Sequence, residues 1–269
     1  MGNSTNGNVP EEQRSQYTPT VEEMMKARFL IASMPTGNYM RGYYQLERLE
    51  QGVRATSRGN RANHQPLELW LRFTNMFGIA FSRAYEWDET LSATEIRARK
   101  LSLDLFALAA ATSKPAIDAL VDGYYSQGYA LIRTLLETWR RVVYLRVDPS
   151  GIDRWWPEEQ PDSELTFRPP VADRIRNAVN AVGSKELDTQ LDLIGSGIKQ
   201  MHAGSHPSIE GTTQLWGEDG TRHYGPTYKE VHLTYGLQWG LIALLFLAAE
   251  LHVQFPQSDD WYNELHRLN

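Results

Sequence analysis

Apolar residues recur at intervals of three and four along much of the chain. Leu69, Phe73, Met76, Phe77, Ala80 and Ala84 form one such stripe after Pro66. Ile117, Leu120, Tyr124, Leu131, Leu135, Trp139 and Val142 form a second after Pro115, and Leu187, Leu191, Ile194, Ile198 and Met201 a third. With about 3.6 residues per turn, each set falls on one side of a helix, so the pattern predicts amphipathic helices sharing a buried interior. A fourth stretch, Leu233 to Ala249, carries no charge over 17 residues and is apolar all round. Such a helix needs neighbours on every side and is expected in the core.

Punctuation agrees with periodicity. Prolines bound long windows in which a helix is permitted, because an interior Pro removes a hydrogen bond and clashes with the preceding turn. Thr20 with Glu23, Ser92 with Glu95, and Thr227 with Glu230 have the spacing of capping boxes. Helices are predicted over 21–34, 39–51, 66–87, 93–112, 115–147, 171–182, 185–202, 228–254 and 258–267, with a bend in the fifth at Gly123 or Gly128. The Asp219-Gly220 pair, between Thr212–Trp216 and Thr221–Tyr224, predicts at most one short β-hairpin (212–224). The fold class is therefore all-α: a multi-helix bundle around a buried C-terminal helix. Residues 1–20 read as a disordered polar tail and 21–269 as a single helical domain. Within it, 148–170 is a Pro-rich acidic loop whose Trp155 and Trp156 are expected to pack onto the bundle.

Charge and composition narrow the partners. Of 269 residues, 27 are Lys or Arg and 33 Asp or Glu, a formal charge of −6, which argues against a coat of basic charge for non-specific nucleic-acid binding. The absence of Cys excludes disulfides, thiolate zinc sites and cysteine nucleophiles, and favours a cytoplasmic location. The N-terminus has neither the apolar run nor the basic start of a secretory signal. Gly2 suggests myristoylation, but Asn6 stands where that signal wants Ser or Thr. The apolar run 233–249 falls short of the roughly 20 residues a spanning helix needs and contains Thr234 and Gln238, so a membrane role is the least expected reading.

Two places carry candidate chemistry. On the helix after Pro115, Asp122, Ser126, Arg133, Glu137, Arg140 and Arg141 lie away from the apolar stripe. Arg133 and Glu137 are at i,i+4 and can pair. Either this is a solvated face with weak pairs, or Glu137 orients Arg133 to hold an anion, for which the planar guanidinium suits phosphate. The second place is Lys199 to Ser208, KQMHAGSHPS. There His202 is expected at a helix end with Gly204 as C-cap, and Lys199, Ser205 and Ser208 are further ligand-binding candidates. His206 is the candidate general acid or base, since imidazole titrates near neutral pH. Two histidines four apart resemble metal-ligand spacing, but no third ligand is evident and no metal is expected. Arg41, Arg48, Arg54, Arg58 and Arg61 interleave with Tyr39, Tyr43 and Tyr44, which reads either as a base-stacking surface or as a solvated helix and flexible loop. There is no phosphate-binding loop, dinucleotide fingerprint, H-E-x-x-H or G-x-S-x-G, and no cofactor is expected.

The segment ALIRTLLETWRRVVYLRVDP (Ala130 to Pro149), with the later His206-Pro207-Ser208, resembles a family of functionally uncharacterised bacterial helical proteins that share an Arg-x-Leu-Leu-Glu helix and a later His-Pro-Ser element. The likeness spans 115–255, and Arg133, Glu137, His206 and Ser208 are the matching positions. That family is distantly similar to the HEPN helical bundles, often metal-independent RNases of toxin and phage-defence systems with an Arg and a His four to six residues later. The only such spacing here is Arg58 to His64. With no residue pattern that specifies a reaction, the chain reads as a binding or regulatory protein; the resemblance implies an association with defence and, as the alternative, an HEPN-like ribonuclease using His206 and Arg133. It leaves a protein partner, a homodimer or RNA as candidate partners.

Overall fold

The computed structural model describes residues 36–83, 90–155, 172–205 and 226–255. The expected tail, the helices at 21–34 and 258–267, the hairpin at 212–224, Trp156, His206 and Ser208 lie outside the described residues. Two compact units are present, Met1–Glu47 and Arg48–Asn269, with the division inside the first described helix.

Among the described residues there are seven helices and no strand, so the chain is an all-α bundle. They are α1 (Thr36–Gly59), α2 (His64–Arg83), α3 (Ala93–Val121), α4 (Tyr125–Val147), α5 (Ala172–Val182), α6 (Lys185–Ser205) and α7 (Glu230–Gln254). A 3-10 turn, Pro149–Gly151, and a helical turn, Ile152–Trp155, follow α4, so the expected loop begins with helical turns. In the larger unit α4 packs on α3, α5, α6 and α7, and α7 also packs on α2 and α3. Their shared core contains Phe106, Leu120, Ile132, Leu135, Leu136, Trp139, Ile194, Leu237, Leu244 and Leu247, all buried. Helix α7 is long and apolar enough to cross a membrane by length and composition, yet 56% of its most apolar window is buried in the bundle.

Several boundaries differ from expectation, each for a local reason. Ser92 and Glu95 form the expected capping box, with Glu95 N donating to Ser92 Oγ at 3.3 Å and Ser92 N to Glu95 Oε2 at 2.9 Å. Pro115 does not separate two helices, because α3 runs through it to Val121. The roughly 3 kcal/mol cost of an interior Pro is outweighed by burial of Ala116, Ile117, Leu120 and Val121 on its far side. The break falls instead at Gly123, whose φ of +84° is a left-handed conformation that ends a helix readily only with Gly. A Cβ there would also sit 2.7 Å from Thr227 N.

Helix α1 continues past the expected end at 51, and the anticipated flexible loop becomes helix to Gly59 followed by a 3-10 turn. Buried Ser57 and Asn63 account for this. Ser57 Oγ donates to Val121 O at 2.9 Å, and Asn63 Nδ2 to Ser57 O at 3.0 Å. The Arg58–His64 spacing serves the same corner, since His64 Nε2 lies 2.6 Å from Arg58 O. Arg54 is likewise structural, donating Nε and Nη2 to the two Asp122 oxygens at 2.5 Å each. At the start of α7 the Thr227–Glu230 box does not form. Lys229 is the N-cap without a side-chain cap bond, and its N–H donates to Tyr125 Oη at 2.7 Å.

Candidate functional site

Helices α4 and α6 bring Arg133, Glu137 and His202 together. Arg133 Nε donates to Glu137 Oε1 at 2.7 Å, the contact that one helical turn permits. Arg133 Nη1 lies 2.7 Å from His202 Nδ1, across 69 positions of sequence. A guanidinium only donates, so Nδ1 is the acceptor and the imidazole carries its proton on Nε2 in this contact. Arg141 Nη2 reaches the second Glu137 oxygen at 3.4 Å. One carboxylate thus serves two guanidinium groups, and the cluster retains positive charge in a chain of net −6. It is half open, with the Arg133 and Glu137 side chains 33% and 28% exposed.

His202 stands in the last turn of α6, as expected, but Gly204 is not the C-cap. Helix α6 continues to Ser205, where Ser205 Oγ donates to His202 O at 3.2 Å and Ser126 Oγ of α4 to Gly204 O at 3.3 Å. Those bonds give the last turn partners that a C-cap Gly would otherwise supply. Lys199 is exposed one turn before His202 on the same helix. His206 and Ser208 lie outside the described residues, so of the two histidines it is His202 that is seen to reach Arg133. Among the described residues, no three His, Asp or Glu side chains gather as metal ligands.

Three features escaped the sequence reading. Arg140, two turns beyond Arg133, has a buried Nε with no hydrogen-bond partner among the described residues. Buried Glu250 of α7 accepts from Arg146 Nε at 2.5 Å, from Arg146 Nη2 at 3.1 Å and from Gln254 Nε2 at 2.9 Å. The pair lies in a cleft of about 540 Å³ walled by Trp139, Leu187, Leu245, Phe246 and Val253. Glu250 reads in sequence as the end of an apolar run; nothing local couples it to a residue 104 positions away.

The third feature is half-buried His232 at the start of α7. Tyr129 Oη donates to His232 O at 2.9 Å and lies 3.1 Å from His232 Nδ1, and the Tyr125 ring sits 5.5 Å from the imidazole. Burial, with Lys229 nearby, holds the His232 imidazole below its usual value, and burial pushes the Tyr125 phenol up to about 12. The folded chain therefore binds a proton at His232 less readily than the unfolded chain does. This contribution to stability is present above the ordinary imidazole value of about 6.5 and is lost as pH falls through the lower folded value. Unfolding midpoints are expected to drop below pH 6.5, with a flatter dependence in His232→Gln. Equal slopes in the two chains would contradict it.

Compared with family models, curated proteins and solved structures, the chain matches none.

Proposed function

We propose that the chain is a helical binding or regulatory protein whose Arg133 site takes an anionic group of the phosphate class. The observation that carries this reading is the Arg133 fork, fixed at Nε by Glu137 and at Nη1 by His202 while the side chain stays one-third exposed. Guanidinium has five N–H donors, so two committed bonds orient it and leave its outer edge to a ligand. Sharing of Glu137 with Arg141 adds the excess positive charge that an anion needs.

The competing account is a clip that holds α4 to α6. Partly exposed pairs are worth only about 0–1 kcal/mol, which separates the two accounts. Inorganic phosphate titrated calorimetrically into the native chain is expected to bind, and Arg133→Gln to weaken binding roughly tenfold or more with a stability loss of about 1 kcal/mol or less. Absence of phosphate binding, with only a lowered melting temperature in the variant, would leave the clip.

A second reading is favoured by the His202 contact: metal-independent phosphodiester cleavage. Arg133 can stabilise the phosphate charge, while His202 and His206 are the candidate pair that takes the proton of the attacking hydroxyl and returns one to the leaving oxygen. RNA incubated with the protein in EDTA would then be cut, and His202→Ala or His206→Ala would abolish cutting. Intact RNA would remove this reading and leave the binding one standing. Association with defence rests on the resemblance carried by the Arg133–Glu137 helix and the His206–Ser208 element.

A further inference from the structure

Arg133, Glu137 and Arg140 share one face of α4, because positions 4 and 7 residues apart return to nearly the same angle. Arg133 and Arg141 have Glu137, and Arg176 of α5 has Asp188 and Asp192 of α6. Arg140 differs from them. No carboxylate among the described residues stands within ion-pair distance of it, and its Nε is buried without an acceptor. A buried, unmatched guanidinium donor is costly, and such groups in native structures call for an explanation, a bound anion among them. Burial lowers the Arg140 guanidinium from its usual value, and the neighbouring charges are mixed: Glu137 and Asp173 favour the cation, Arg176 and Arg141 oppose it.

We propose that Arg140 is a second anion position, so that the ligand of this face carries at least two phosphoryl groups, one on Arg133 and one on Arg140. This rests on the phosphate reading of Arg133 and adds the spacing of the ligand to it. Seven residues of helix separate the two positions by about 10 Å along the axis. That distance suits the ends of a linear pentaphosphate or alternate phosphates of a single-stranded oligonucleotide better than one phosphate ion. The shared chemistry is a chain of phosphoryl groups, and comparing the two probes distinguishes its source.

The test compares inorganic phosphate, linear pentaphosphate and a short single-stranded oligonucleotide on the native chain and on Arg140→Gln, Arg140→Lys, Arg133→Gln and Asp173→Asn. At least one of the two longer probes is expected to bind the native chain roughly tenfold or more tightly than inorganic phosphate. Arg140→Gln removes most of that advantage, weakening the longer probe more than it weakens inorganic phosphate, whereas Arg133→Gln weakens all probes. Arg140→Lys retains part of the advantage, a readout that a merely structural arginine would not give. A longer probe that keeps its advantage in Arg140→Gln overturns the inference and leaves the Arg133 reading intact. So does a fall in melting temperature in Asp173→Asn equal to that in Arg140→Gln, which would make Asp173 the missing counter-ion. Failure of every probe on the native chain sinks the Arg133 reading and this one together.

Discussion

Trp70→Ala is expected to destabilise the larger unit by about 3–5 kcal/mol, as truncation of a fully buried Trp does elsewhere. Trp70 on α2 has no exposure, and its Nε1 donates to Ser113 O of α3 at 3.2 Å. Its ring occupies the space beside Gly240 of α7, where a Cβ would overlap it. One side chain thus joins three helices. Gly240→Ala in the native chain is expected to cost about 1–3 kcal/mol by overpacking. With Trp70→Ala already in place, the added methyl meets a cavity and should cost little. The double-mutant cycle, read by denaturant unfolding, therefore predicts strong coupling between the two positions. Simple additivity would show that Trp70 does not pack on Gly240.

The next largest effect is expected at Glu250. Its side chain is 5% exposed, against 28% for its partner Arg146. Removing one member of a fully buried pair costs roughly 3–5 kcal/mol, because the other charge is left uncompensated. Arg146 keeps some access to water through the cleft, so Glu250→Ala should cost about 2–3 kcal/mol. Gln254, which donates to both Glu250 Oε1 and Val142 O, loses one of its acceptors in the same change. Replacing both charges, as Arg146→Met with Glu250→Leu, should restore much of the loss, since a buried pair contributes little over apolar packing of similar volume. Thermal or denaturant unfolding of the three variants checks this. A loss below about 0.5 kcal/mol in Glu250→Ala would mean that the pair is effectively solvated.

Both effects bear on the candidate site because α4 carries it. The same helix presents Ile132, Leu135, Leu136 and Trp139 to the core and Arg133 to His202 of α6, with Glu137 held between Arg133 and Arg141. Binding or catalysis at Arg133 needs a rigid support, and the packed face supplies one. Variants at Arg133 and Arg140 are therefore best judged beside Trp70→Ala, which loosens the support without touching the fork.

Helices were legible because their cause is local. A stripe at three and four spacing and a Ser92–Glu95 box act within a few residues, and the observed α3, α5 and α6 begin within a residue of expectation. The Arg133–Glu137 pair was legible for the same reason, being one turn of one helix. Boundaries were misread where a distant group supplied the missing partner. Burial carried α3 through Pro115, Ser126 of α4 bonds the last turn of α6, and Tyr125 of α4 bonds the Lys229 N–H.

The sequence alone determined the class of fold, the helical faces and the pairing of Arg133 with Glu137, since each follows from the 3.6-residue turn and the side chains within one turn of each other. Only the tertiary structure decided that His202 closes on Arg133, that Glu250 finds Arg146, and that the Arg140 Nε is buried without a described partner. Those contacts depend on which helices meet and at what height, a choice made by packing of the whole core that no single segment encodes.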